Sequence, residues 1–168
     1  MERKTIYLIG FMGAGKTSIG QVLGEKTGLP VIDTDERFEE YTGIAIRDFF
    51  EQYGEERFRE KETEILLSLP NRPSIITTGG GIILKEKNRQ FLKETGRVVF
   101  LQCRPDVFLD RLKDDQTRPL IMNKTVAEIS EMYEKRLPLY LESAAISIDT
   151  SDFSIEEAAD YIMKRMNL

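Results

Sequence analysis

Residues Gly10-Phe11-Met12-Gly13-Ala14-Gly15-Lys16-Thr17 match the pattern GxxxxGK[ST] and lie between a short apolar run, 5–9, and a helix-forming stretch, 16–27. No other feature of the chain restricts its fold as tightly. Glycines at these spacings let the backbone turn its amides toward one centre, and with the N-terminus of the following helix they form an anion-binding cup. Lys16 adds a positive charge for the β- and γ-phosphates of a nucleotide, and the Thr17 hydroxyl adds an oxygen ligand for Mg²⁺. The motif implies ATP or GTP binding.

The rest of the chain supplies the sheet that such a loop needs. Brief apolar runs at 5–9, 31–33, 74–78, 98–101 and 145–148 alternate with amphipathic stretches at 16–27, 46–53, 55–67, 86–94, 107–113, 126–141 and 155–166. This alternation is the pattern of an α/β domain with a parallel sheet flanked by helices. Gly28 and Gly54 close two of the helical stretches, and Thr125 with Glu128 and Ser154 with Glu157 have capping-box spacing.

Composition removes whole classes of chemistry. A chain of 168 residues that is 40% hydrophobic can bury one core without disulfides, and its pattern fits neither a membrane-spanning nor a disordered protein. There is no histidine, so there can be no Ser-His-Asp nucleophile and no His-ligated zinc. The lone Cys103 excludes an internal disulfide and a multi-cysteine metal site, and fits a reducing, cytoplasmic location. Net charge is −5 and no basic stripe is present, which argues against a nucleic-acid partner. Glu2-Arg3-Lys4 before an uncharged stretch imitates a signal peptide, but Lys16 interrupts it and no small-x-small cleavage site follows, so no targeting segment is expected.

Asp33-Thr34-Asp35 follows the second apolar run. Strand alternation would aim both carboxylates beyond the carboxyl end of the sheet, one toward Mg²⁺ through its waters and the other toward a substrate hydroxyl. The alternative is an Asx turn capping a helix that begins near Glu36. Arg59, Arg118 and Arg136 each carry the fork-shaped group that grips carboxylate or phosphate, although read alone each fits a solvated surface better. Gly79-Gly80-Gly81 gives backbone that a ligand can approach closely, or simply a flexible turn. The irregular segment 114–124 has the length of a lid, or of a plain surface loop. A Ras-type GTPase is excluded because Asn123-Lys124-Thr125-Val126 fails the N-K-x-D guanine element at its last position.

Together, the loop GFMGAGKT, Asp33-Thr34-Asp35, Phe58-Arg59-x-x-Glu62, Gly79-Gly80-Gly81, Arg118-Pro119-Leu120 and Arg136-x-Pro138-x-Tyr140 resemble the shikimate kinases, in that family's order and over nearly the whole chain. The resemblance implies ATP-dependent phosphorylation of the shikimate 3-hydroxyl, in the pathway to chorismate and the aromatic amino acids. It implies a fold like that of the nucleoside monophosphate kinases: a five-stranded parallel sheet, a substrate-binding helical insert and a lid. The single domain would divide into a core of 1–33, 63–111 and 125–168, an insert of about 34–62 and a lid of about 112–124.

By position, Asp35 would hold shikimate hydroxyls and act as base, with Lys16 and Arg118 as the other catalytic groups. Gly13, Ala14, Gly15, Lys16, Thr17, Ser18, Arg111 and Arg118 would bind ATP, while Thr17 and Asp33 would hold Mg²⁺. Asp35, Phe58, Arg59, Gly79, Gly80, Gly81 and Arg136 would bind shikimate, the arginines gripping its carboxylate. Many relatives place a basic residue near the adenine after the fifth strand, where this chain has Ser151-Asp152-Phe153. A monomer acting on ATP and shikimate, away from membranes and nucleic acid, is the expectation. The competing readings are a kinase for a sugar acid such as gluconate and a nucleotide-binding module without turnover.

Overall fold

Thr5–Ile9 (β1) is buried at every position, as a strand in the middle of a parallel sheet covered on both faces must be. The computed structural model describes residues 4–113 and 120–168. After β1 come α1 (Lys16–Thr27), β2 (Val31–Asp33), α2 (Thr34–Thr42), α3 (Ile46–Leu67), β3 (Ile75–Thr77), a 3₁₀ turn at Ile82–Leu84 and α4 (Glu86–Thr95). The chain continues through β4 (Gly96–Gln102), α5 (Pro105–Leu112), α6 (Val126–Ser143), β5 (Ile146–Asp149) and α7 (Ile155–Met166). Five strands form one parallel sheet in the order β2-β3-β1-β4-β5, with Ile6 opposite Ile75 on one side and Arg97 on the other. The phosphate loop therefore leaves the central strand, and its two neighbours end at the same edge. Among the described residues, no helix is long and apolar enough to cross a membrane.

The main core joins the sheet to the helices on both faces, from Ile6, Leu8 and Ile9 through Leu23, Ile75, Val99 and Phe100 to Phe108 and Ile162. A second, smaller cluster of Phe38, Phe49, Phe58 and Ile65 holds α2 against α3, with Phe38 edge-on to Phe49 at 4.9 Å. Helix α1 lies so close to the sheet that a Cβ on Gly20 would overlap the Thr77 methyl. The expected boundary near residue 62 falls inside α3, whose Ile65 belongs to the small cluster and whose Leu66 belongs to the main core.

Both capping boxes form as expected, Thr125 with Glu128 and Ser154 with Glu157. Gly54 adopts φ 78° and ψ 174°, so the stretches 46–53 and 55–67 are two helical segments joined at a sharp turn that only glycine accommodates readily. The helix before β4 extends one residue further than 86–94, and α5 starts at Pro105, two residues before the expected 107, because proline is pre-organised for a first helical turn. Sequence periodicity does not reveal helix α2. Only Thr34 and Phe38 of its nine residues are buried, too few to show a helical period.

Candidate active site

The phosphate loop is built on steric necessity. A Cβ on Gly10 would lie 2.6 Å from the Leu101 carbonyl oxygen, and Gly13 and Gly15 adopt φ 78° and 91°. Lys16 Nζ donates to the Gly10 and Phe11 carbonyls at 2.7 and 2.9 Å, which holds the ammonium across the loop. Arg111 Nη1 donates to the Gly13 carbonyl at 2.7 Å from α5.

Asp33 ends β2 and caps α2. Its Oδ1 accepts the amides of Asp35 and Glu36 at 2.9 and 3.2 Å, while Oδ2 accepts the Thr77 hydroxyl at 2.6 Å and the Thr17 hydroxyl at 3.5 Å. The expectation of strand alternation is thereby corrected, and the alternative, an Asx turn capping a helix, is what forms, with the helix beginning at Thr34 rather than near Glu36: Asp35 sits in its first turn, and the cap at Asp33 sets its direction.

Two cavities open at the carboxyl edge of the sheet. The first, about 320 Å³, is lined by Gly13, Ala14, Gly15, Lys16, Thr17 and Ser18, and runs past Asp33, Thr78 and Arg111 to Thr150, Phe153, Ser154 and Ile155. The second, about 240 Å³, is lined by Met12, Glu36, Ile46, Phe50, Phe58, Arg59, Glu62, Gly81, Leu120 and Arg136, among others. Asp35, Gly79 and Gly80 belong to both walls. Every expected site residue among the described ones therefore lines one of two adjoining cavities. Arg118 lies outside the described residues.

Arg59 and Arg136 are only 6% and 5% exposed. Arg59 Nη1 donates to Glu62 Oε2 at 2.9 Å, and its guanidinium lies 5.1 Å from the Phe58 ring centre; that of Arg136 lies 5.7 Å from the ring centre of Phe11. A Cβ on Gly81 would fall on the Arg59 guanidinium, so glycine there lets the cation reach the loop. A Cβ on Gly79 would lie 2.8 Å from Asp35 Oδ1 and 3.2 Å from Glu62 Oε1, so both carboxylates converge on the junction. Burial pushes the Glu62 carboxyl above the usual carboxylate range; the Arg59 cation opposes the rise, and Asp35 adds to it. Its Oε1 is buried without a hydrogen-bond partner. The sequence shows Glu62 only as part of a motif. Its spacing of three from Arg59 within one helix was the one local signal for a pair.

Mg²⁺ takes hard oxygen ligands and keeps several waters. The Thr17 hydroxyl and Asp33 carboxylate fit that donor set, but Asp33 already accepts four hydrogen bonds, which suits contact through the ion's waters. Among the described residues, no cluster of three or more His, Cys, Asp or Glu could hold a metal without phosphate and water.

Residues 12–167 match the family model described as Shikimate kinase. The chain is 48% identical to the shikimate kinase of Bacillus cytotoxicus over 98% of its own length and 99% of that protein. The chain belongs to the shikimate kinase family. Its fold superposes on the Acinetobacter baumannii shikimate kinase solved in complex with shikimate, with a TM-score of 0.94 at 37% identity, covering 98% of this chain and 93% of that one. The Aquifex aeolicus shikimate kinase matches with a TM-score of 0.84 at 35% identity, over 97% and 96% of the two chains.

In this chain the residue after β5 that departs from the family pattern is paired with a neighbour. Arg104 Nη1 and Nη2 grip Asp152 at 2.8 and 3.2 Å, so the acid is neutralised at the surface while Phe153 faces the first cavity. Glu62, at 2.9 Å, is the closer and buried partner of the Arg59 cation, with the half-exposed Glu55 carboxylate at 3.5 Å. Glu62→Ala is expected to lower unfolding stability by about 3–5 kcal/mol in urea titrations. An unchanged urea midpoint would show that Arg59 does not depend on it.

Proposed function

We propose that the chain transfers the γ-phosphoryl group of ATP to the 3-hydroxyl of shikimate, yielding shikimate 3-phosphate and ADP on the route to chorismate and the aromatic amino acids. The observation that carries this reading is the junction: a phosphate-loop cavity and a cavity with two buried arginines share Asp35, Gly79 and Gly80. One anion site thus abuts another, with a carboxylate between them.

The amides of Gly13, Ala14, Gly15, Lys16, Thr17 and Ser18, with the Lys16 ammonium, hold the phosphates, and Arg111 borders the base end of the cleft. Arg59 and Arg136 take the shikimate carboxylate, and Phe58, Gly79, Gly80 and Gly81 wall the ring. This orients the 3-hydroxyl toward Asp35. The hydroxyl oxygen forms a bond to the γ-phosphorus as the bond to the β-phosphate bridging oxygen breaks, and Asp35 accepts the hydroxyl proton. Positioning and charge neutralisation dominate such a transfer. Thr17 and Asp33 would hold Mg²⁺, which would supply charge neutralisation on the phosphates. By its place in the sequence motif, Arg118 would add a further cation on the phosphates. A monomer and a cytoplasmic location are part of the same proposal.

ADP release measured with shikimate, gluconate, AMP or no acceptor tests the reading. Strong stimulation by shikimate alone is expected; stimulation by another acceptor, or a flat response, contradicts it. In the same assay Asp35→Asn should lower kcat by at least about 10²-fold while ATP affinity holds. Turnover near that of the unsubstituted enzyme would remove Asp35 from the role of base.

A further inference from the structure

Three consecutive glycines have no side chains of their own to fix their path, and glycine loses more backbone freedom on ordering than any other residue. The wall shared by the two cavities is held partly by its own turn, where the Ile82 and Leu84 amides donate to the Gly79 and Gly81 carbonyls at 3.2 and 3.1 Å, and partly by groups from elsewhere. The Gly79 amide donates to Thr34 Oγ1 of α2 at 3.1 Å. After the loop, Asn88 Nδ2 and Arg89 Nη1 of α4 donate to the Ile82 and Ile83 carbonyls of the 3₁₀ turn at 2.9 and 2.8 Å. Between these anchors stands one bond from α6: the Tyr140 hydroxyl donates to the Gly80 carbonyl at 2.5 Å.

Tyr140 is fully buried, and its ring stacks on Phe100 of β4 with centres 4.9 Å apart and planes 14° apart. It lies one helical turn beyond Arg136, on the same face of α6. Burial pushes its phenol up to about 12, the nearby Arg136 cation opposing the rise, so it remains a donor across the working pH range. Between the two residues, Pro138 has no amide hydrogen, so α6 lacks the backbone bond to the Glu134 carbonyl there.

We propose that Tyr140 is a positioning residue for the acceptor, its hydroxyl tying the Gly80 carbonyl to the face of α6 that carries Arg136 one turn earlier. Shikimate gripped by its carboxylate then presents its hydroxyl at a set distance from the junction. This rests on the reading that the arginine cavity takes shikimate.

Tyr140→Phe keeps the ring stacked on Phe100 and deletes only the hydroxyl. Ser143→Ala is the control, because it removes a buried hydroxyl of the same helix that donates to the Leu139 carbonyl, at 2.7 Å. Steady-state kinetics of the full chain should show the shikimate KM rising about tenfold in Tyr140→Phe while the ATP KM changes less than about twofold, with neither changed in Ser143→Ala. Amide hydrogen exchange of residues 79–84 should quicken in Tyr140→Phe alone. An unchanged shikimate KM, or equal rises in both KM values, overturns the proposal. If the unsubstituted chain does not turn over shikimate, the functional reading falls, and the exchange rates then decide the tie to Gly80: unchanged rates overturn it.

Discussion

The Asp33 carboxylate is the tie on which the site depends. Its two oxygens accept from the first amides of α2, from Thr77 at the end of β3 and from Thr17 at the start of α1, joining the last residue of β2 to three other elements. Hydrogen bonds to a charged acceptor contribute about 1.5–3 kcal/mol each when well formed, so this group is costly to disturb. The sheet alone brings the loops to one edge. Asp33 decides where along that edge Asp35 stands, and Asp35 stands where the two cavities meet.

A chain of net charge −5 is an unpromising receptor for two anions. The resolution is local. Lys16 and Arg111 at the phosphate loop and Arg59 and Arg136 in the second cavity line the two cavities with cations, while the acids lie mostly on the outside. Inside, Glu62 costs desolvation that a pair in water would not, yet it holds Arg59 in one geometry and presents no partner to its own second oxygen. The absence of histidine has a matching consequence, since proton acceptance in the proposed transfer falls to an aspartate.

Much of this was legible in the sequence because local rules and tertiary structure agree. The central strand, the phosphate loop, both capping boxes and the break at Gly54 each have a short-range cause, and each forms as read. The misreadings have long-range causes. Helix α2 is mostly exposed, so its apolar residues show no period; its cap at Asp33 was legible as one of two readings, whereas the Phe38–Phe49–Phe58 cluster that holds it was not. The Arg104–Asp152 pair spans 48 positions, and the Tyr140–Gly80 bond 60, which no local pattern reveals. Arg118 was legible only as a motif beside Pro119, and it is the one expected site residue that falls outside the described residues.

The central claim is that acceptor and nucleotide meet at Asp35 across the Gly79–Gly80 wall. A crystal structure of the chain with shikimate, Mg²⁺ and a non-hydrolysable ATP analogue tests it most directly. The expected result has the shikimate carboxylate between Arg59 and Arg136, and its 3-hydroxyl within about 3–3.5 Å of both the Asp35 carboxylate and the γ-phosphorus. Shikimate bound with its carboxylate away from those arginines, or with its hydroxyl turned from Asp35, would contradict the account.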